Sequence, residues 1–161
     1  MNKAIWNVKE IADIFSIFHD GWVEDIYYSD PNLKLKIGIP YLAKAIAQGA
    51  SGFEVSLEAI KDFRFRSWTN EAERTPVIIE NTKDILSLQL EILRGDVVDG
   101  SVRVLCQTHV SEHLSTGGYL FIEAKSATVE AENGALVSIE ELRETSSAYW
   151  NAWEAKNKHS Q

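Results

Sequence analysis

Hydrophobic and polar residues alternate with a period of two through most of the chain, which is typical of half-buried β-strands. The alternation begins at Trp22 and recurs in runs that predict strands over 33–39, 53–58, 63–68, 77–80, 86–92, 102–106 and from Gly117 to Asn133-Gly134. The longest clean alternation places Leu86, Leu88, Leu90 and Ile92 on one face. The prediction of a sheet depends most on this run over 86–92.

A period of three to four residues appears near both ends and predicts helices. Asn7 can cap a short first helix that carries Val8, Ile11 and Phe15. An alternative for this segment is a strand over 14–18 that turns at Asp20-Gly21.

Near the C-terminus, Ser138 and Glu141 have the spacing of a capping box. The helix that follows is expected to place Trp150 and Trp153 on one side. Residues 155–161 are expected to fray, and residues 41–52 to form a short helix or a loop.

Turn signals separate the strands and decide the fold class. Asp30-Pro31-Asn32 predicts a turn, and Asp99-Gly100 predicts a two-residue hairpin. Strands and helices do not alternate, which argues against a parallel sheet. We therefore expect a single α+β domain over 1–161. Its curved antiparallel sheet or incomplete β-barrel would have about seven strands, with a short N-terminal helix and a C-terminal helix.

Composition agrees with a globular domain, because 45% of the 161 residues are hydrophobic. The single cysteine, Cys106, lies in an apolar run and is expected to be buried and reduced. The start of the chain lacks the apolar core of a signal peptide, and no run is long enough to span a bilayer. These features predict a cytoplasmic location.

The net charge of −8, from 16 basic and 24 acidic residues, argues against binding to nucleic acid or to an anionic membrane. An acidic surface is compatible with a basic protein partner. Acidity also aids solubility without any partner.

Two groups of residues are candidates for chemistry. His109, Glu112 and His113 resemble a metal-binding cluster, although a solvated polar loop explains the same residues. His19 and Asp20 are candidates for acid–base catalysis, but Asp20-Gly21 is also a turn signal. Nucleophile motifs, phosphate loops and dinucleotide-binding motifs are absent from the sequence, and no cofactor is expected.

Aromatic and basic residues are the candidates for binding. Arg64, Arg66 and Trp68 interleave with Phe63 and Phe65, so that a strand would place the phenylalanines in the core and the arginines in solvent. Tyr27 and Trp153 complete the candidate set, because aromatic residues are common at binding hot spots.

The segment Phe18-His19-Asp20-Gly21, the strand over 33–39, the run over 63–68 and the Asp99-Gly100 hairpin resemble small β-rich bacterial proteins of unknown function. Predicted immunity proteins encoded beside polymorphic toxins are among them. The resemblance covers residues 14–129. It implies an intracellular protein that binds and neutralises a cognate toxin and has no chemistry of its own.

Three functions follow from these observations. The first is a non-catalytic protein-binding module, for example an immunity protein whose acidic surface covers the basic site of a toxin. The second is a small-ligand-binding domain that uses the concave face of the sheet. The third is a hydrolase or metal enzyme that uses His19, Asp20, His109, Glu112 and His113.

Overall fold

The structure is a computed structural model that describes residues 3–68, 75–109 and 117–158. The helices in these residues are α1 (Val8–Ile17), α2 (Pro40–Ile46), α3 (Thr82–Leu86) and α4 (Ile139–Lys158). The strands there are β1 (Trp22–Ser29), β2 (Asn32–Gly38), β3 (Gly52–Glu58), β4 (Asp62–Ser67), β5 (Ile78–Ile79), β6 (Glu91–Val98), β7 (Ser101–Gln107), β8 (Gly117–Glu123), β9 (Ser126–Ala131) and β10 (Leu136–Val137).

All of these strands belong to one open antiparallel sheet in the order β10-β9-β3-β2-β1-β6-β7-β8-β4-β5. The α+β class is therefore confirmed, but the described residues form ten strands rather than about seven. One reason is that the run after Gly117 is not a single strand. It breaks at Ala124-Lys125 into β8 and β9, which pair with different neighbours.

The sheet consists of two halves that meet at a narrow seam. In the seam, β1 and β6 share one register pair, Trp22 with Glu91. Far from the seam, the β3–β4 and β8–β9 connections carry the chain from one half to the other. Helix α1 contacts β6 and β7 in one half and β9 in the other. The sheet therefore curves around this helix.

Helix α1 fills the concave side of the sheet. It begins where predicted, because the side chain of Asn7 accepts hydrogen bonds from the backbone N–H groups of Lys9 and Glu10. Its buried face includes Phe15, and the ring of Phe18 stacks on Phe53 of β3 at 5.2 Å between centroids. The alternative of a strand over 14–18 is not observed.

The last turns of α1 complete the hydrogen bonding of β6 beyond the seam. The hydroxyl of Ser16 donates to the carbonyl of Gly95 and accepts from its N–H, at 2.9 and 3.0 Å. A side chain at Gly95 would collide with the backbone of Ala12. Glycine is therefore required there by the close approach of the helix.

Only the last two residues of the strand predicted over 86–92 lie in a strand. Leu86 ends α3, whose first turn is capped by the side chain of Asn81, and β6 starts only at Glu91. Gln89 has a φ of 53°, which no strand residue adopts. Leu88, Leu90 and Ile92 are nevertheless buried. The alternation therefore did indicate which residues are buried, but Leu88 and Leu90 lie in the turn between α3 and β6 and not in a strand.

The predicted turns are confirmed. Asp99 and Gly100 both have positive φ and join β6 to β7, with Val98 paired to Ser101. This is the conformation that an Asp-Gly hairpin favours. The turn at Asp30-Pro31 joins β1 to β2.

The helices after β2 and at the C-terminus follow the predictions in part. Pro40 starts α2 inside the segment expected to be a helix or a loop. The N–H of Glu141 donates to the Ser138 hydroxyl at the start of α4. Fraying from residue 155 is not observed, since α4 continues to Lys158. Residues 159–161 lie outside the described residues.

The buried residues form one core cluster between the sheet and the helices. Cys106 belongs to it, as expected, and burial raises the pKa of its thiol. In the part of the chain that the structure describes, no helix combines the length and apolar character needed to cross a membrane.

Candidate functional site

Three of the predicted binding residues lie together on the outer face of β4. Phe63 and Phe65 point into the core, as the alternation predicted. Arg64 and Arg66 therefore point outward. Trp68 follows β4 on the same side, and its N–H donates to the carbonyl of Gly117 at 2.9 Å.

Neighbouring strands extend this surface across half of the sheet. In register, Arg64 lies beside Phe121 of β8 and then Arg103 of β7, and Arg66 lies beside Tyr119 and then Leu105. These two lines of residues across the strands are the first and the second row of the surface. Strand β6 adds Asp96 to the first row, which starts at Arg64, and Arg94 to the second row, which starts at Arg66. We call this surface the arginine–aromatic face, and its members are Arg64, Arg66, Trp68, Arg94, Asp96, Arg103, Leu105, Tyr119 and Phe121.

Two of the guanidinium groups lie over aromatic rings of β8. The Cζ atom of Arg103 is 4.4 Å from the ring centroid of Tyr119, and that of Arg64 is 5.1 Å from the centroid of Phe121. The ring of Trp68 meets Tyr119 edge-on at 6.5 Å. These cation–π and edge-to-face contacts hold the side chains of the face in defined positions.

Ion pairs fix two of the arginines further. Arg103 donates to both carboxylate oxygens of Asp96, at 3.1 and 2.9 Å. This bidentate hydrogen bond lowers the pKa of Asp96 and raises the pKa of Arg103. Arg64 lies 3.4 Å from a carboxylate oxygen of Asp62, whose neighbour across the strands is Glu123.

Arg66 and Arg94 differ from the other two arginines, since neither forms an ion pair within residues 3–68, 75–109 and 117–158. Arg66 borders a depression of about 410 Å³ between Trp68, Pro76, Arg103 and the two aromatic residues of β8. Both arginines are exposed. The face therefore combines fixed aromatic surface with two exposed cations that form no ion pair among the described residues.

Gly117 makes room for the tryptophan on this face. A Cβ at this position would lie 2.8 Å from two carbon atoms of the Trp68 ring and 2.6 Å from the carbonyl oxygen of Cys106. The glycine therefore allows the indole to lie across β8, next to Tyr119.

The other two predicted binding residues lie elsewhere. Tyr27 is on the outer face of the other half of the sheet, beside a depression of about 500 Å³ that Lys34 and Glu54 also line. Its hydroxyl bonds to Asp25, which lowers the pKa of that carboxyl.

Trp153 lies on α4, where its ring is 5.8 Å from that of Trp150. Trp150 in turn contacts Tyr41 of α2, as does Tyr149, and burial is the main cause that raises the pKa of Tyr41 to about 12. The rings of Tyr149 and Trp150 therefore pack α4 against α2.

His19 and Asp20, the candidates for acid–base catalysis, lie at the seam. The Nδ1 atom of His19 lies 2.8 Å from the carbonyl oxygen of Leu93, and its Nε2 atom lies 3.3 Å from the carboxylate of Asp20. Asp20 has a φ of 71°, and its N–H donates to Ile92. Both residues thus join the end of α1 to β6, on the unpaired side of that strand.

His109 also belongs to the seam. Its Nε2 atom lies 2.9 Å from a carboxylate oxygen of Glu91, and its ring lies 4.5 Å from that of Trp22. Glu112 and His113, the other predicted metal ligands, lie outside the described residues. Within the described ranges, no three histidine, cysteine or acidic residues form a group able to hold a metal ion.

Sequence reasoning missed Arg94, Arg103, Tyr119 and Phe121 as members of the face. Arg103, Tyr119 and Phe121 all carry the signal of an outward position in an alternating strand. Only the pairing of β4 with β8, and of β8 with β7, brings them next to Arg64 and Arg66.

The chain was compared with protein-family models, with curated proteins and with solved structures, and none of them matches it.

Proposed function

We propose that this chain is a protein-binding module without chemistry of its own, and that the arginine–aromatic face is its docking surface. The observation that carries the proposal is the grouping of Trp68, Tyr119 and four arginines on one sheet surface. Tryptophan, tyrosine and arginine are the residue types that contribute most to binding energy at protein interfaces.

The geometry of the face also favours binding, because its side chains are held in place before a partner arrives. Asp96 and the Tyr119 ring hold Arg103, and Asp62 and the Phe121 ring hold Arg64. Ordering a free long side chain at an interface costs about 0.5–1.5 kcal/mol. Side chains that are already ordered avoid most of this cost.

Both histidines that are candidates for chemistry and lie within the described residues contact other groups of the seam. His19 and His109 each use their ring nitrogens for different contacts, with Leu93 and Asp20 in one case and Glu91 in the other. They do not form a common acid–base pair. The small-ligand alternative relied on an open concave face, and α1 occupies that face.

The most specific form of the proposal is the neutralisation of a toxin by occlusion, as the resemblance implies. The net charge of −8 accelerates association with a partner that is basic overall. The local charge of the face instead favours carboxylates, because Arg66 and Arg94 have no ion pair among the described residues. A basic toxin whose docking segment is acidic meets both conditions.

The test is a comparative affinity purification from host cells. Three tagged proteins are used: the wild type, the variant Trp68→Ala with Tyr119→Ser, and the control Tyr27→Ser with Trp153→Ala. The control changes the two candidate residues that lie outside the face. Quantitative mass spectrometry measures the proteins retained, and each candidate is then purified and its binding measured directly.

We expect a partner that binds the wild type and the control and that loses most of its affinity for the face variant. Circular dichroism checks that all three proteins fold. A partner that binds the face variant normally and is lost with the control contradicts the assignment of the face. If the purified partner is toxic, co-expression with the wild type is expected to restore growth.

A further inference from the structure

The second row of the arginine–aromatic face has a cation at each end and apolar surface between them. Across the strands its members are Arg66 on β4, Tyr119 on β8, Leu105 on β7 and Arg94 on β6. Neighbouring strands are about 4.8 Å apart, so the Cα atoms of the two arginines are about 14 Å apart.

The two end arginines form no ion pair among the described residues, although, beside the hydrogen bond from Arg103, the charge of Arg94 contributes to the lowered pKa of Asp96, two residues along β6. In the first row, Asp96 pairs with Arg103, and Asp62 lies 3.4 Å from Arg64. Arg66 and Arg94 are exposed and make no ion pair with any described residue. Exposed charges that lie farther from these arginines than the Debye length, which is about 8 Å at physiological salt, are largely screened.

We propose that this row binds an acidic segment of the protein partner, in which two carboxylate side chains flank apolar residues. The inference rests on the proposed function and specifies its ligand chemistry. Guanidinium groups bind carboxylates with two parallel hydrogen bonds, while Leu105 and the part of Tyr119 that Arg103 does not cover offer apolar surface between the two sites. An extended segment rises about 3.3 Å per residue, so the two acidic residues are about four positions apart.

A peptide is favoured over single-stranded nucleic acid for a structural reason. Stacking of bases requires open ring faces, and the rings of Tyr119 and Phe121 are already covered by Arg103 and Arg64. In addition, the acidic pair of Asp62 and Glu123 lies at one end of the face. A continuous phosphate backbone would meet these carboxylates, whereas a peptide with two spaced charges avoids them.

The experiment is a selection from a displayed library of random peptides against the whole wild-type protein. Enriched peptides are synthesised with a fluorescent label, and fluorescence anisotropy measures their affinity. The variants are Arg66→Gln, Arg94→Gln and the double substitution. Arg143→Gln is the matched control, since it removes one arginine that pairs with Glu10 and Asp13 away from the face.

We expect the enriched peptides to carry acidic pairs that flank apolar residues. Exposed ion pairs contribute up to about 1 kcal/mol each, so each single variant should weaken binding about fivefold and the double variant about 25-fold. Arg143→Gln should leave the affinity unchanged.

Other outcomes overturn the inference in distinguishable ways. If enriched peptides lack acidic pairs, or bind the double arginine variant normally but fail to bind Tyr119→Ser, the inference is wrong and the proposed function stands. Labelled oligothymidylate provides the nucleic-acid arm. If it binds the wild type and the double variant abolishes this binding while no peptide is enriched, both the inference and the proposed function are wrong.

Discussion

Alanine in place of Gly95 is predicted to destabilise the protein through the contact between α1 and β6. The added Cβ would lie closer than 3.0 Å to the carbonyl oxygen of Ala12, and 3.1 Å from the Cβ atom of Phe15. Both of these residues are buried, and the atoms concerned cannot rotate away. The helix and the strand must therefore separate.

The magnitude follows from what this separation disrupts. Overpacking of a buried contact costs about 1–3 kcal/mol, and each of the two hydrogen bonds between Ser16 and Gly95 contributes about 0.5–1.5 kcal/mol. We expect the free energy of unfolding to fall by about 3 kcal/mol, a large part of the roughly 5–15 kcal/mol of a typical domain. With an m-value of about 2 kcal/mol per molar urea, the unfolding midpoint falls by about 1.5 M.

Urea unfolding followed by circular dichroism measures this change. Gly49→Ala is the control, because Gly49 has a φ of 78° and nothing within 4 Å of an added Cβ. It should lose only about 1 kcal/mol, from backbone strain. In the background of Ser16→Ala, the cost of Gly95→Ala should be smaller, since the hydroxyl bonds are already absent. A midpoint for Gly95→Ala equal to that of the wild type would show that the added Cβ does not force the helix and the strand apart.

Three further predictions concern single residues. Asp96→Asn should lower the free energy of unfolding at neutral pH by about 0.5 kcal/mol, because the pair with Arg103 is partly exposed. The pKa of Asp96 in the folded protein is below its usual 3.8, so the contribution of the pair to stability is complete above that pH and is lost as the pH falls through the lowered pKa. An equal effect of the substitution at neutral and at strongly acid pH would contradict this. Asn7→Ala should cost about 1 kcal/mol in urea unfolding by removing the cap of α1, whereas Asn7→Asp should cost little. The Cys106 thiol should react with a thiol reagent only after unfolding, so that reaction in native buffer faster than unfolding contradicts its burial.

Local signals in the sequence predicted much of the fold. The Asn7 cap, the Asp99-Gly100 hairpin and the Ser138 cap each depend on residues within four positions of one another, and each is confirmed. Such features follow from backbone conformation and short-range hydrogen bonds. They need no knowledge of the rest of the chain.

Periodicity alone failed where different structures bury the same residues. Leu88 and Leu90 are buried as the alternation predicted, but a positive φ at Gln89 shows that they belong to a turn. At Ala124-Lys125, nothing in the sequence resembles a turn signal. The break there comes from pairing, since the N–H of Lys125 donates to Glu58 at the end of β3.

The candidate site was predicted only in part for the same reason. Arg64, Arg66 and Trp68 are close in sequence, and an alternating strand places them on one side. Arg103 and Tyr119 join them through the register of β7 and β8, which the sequence pattern does not determine. The histidines were candidates for chemistry from their sequence neighbours, but in the structure each has a partner outside that neighbourhood. Their partners, Leu93 and Glu91, come from β6 and identify His19 and His109 as parts of the seam.

Photo-crosslinking in host cells tests whether a protein docks on the arginine–aromatic face. A benzophenone amino acid is placed at Tyr119 in one protein and at Tyr27, on the other half of the sheet, in a second. We expect a crosslink to another protein from position 119, none from position 27, and loss of the crosslink when Arg66→Gln and Arg94→Gln are added. A crosslink from position 27 alone, or none from position 119, would contradict this expectation.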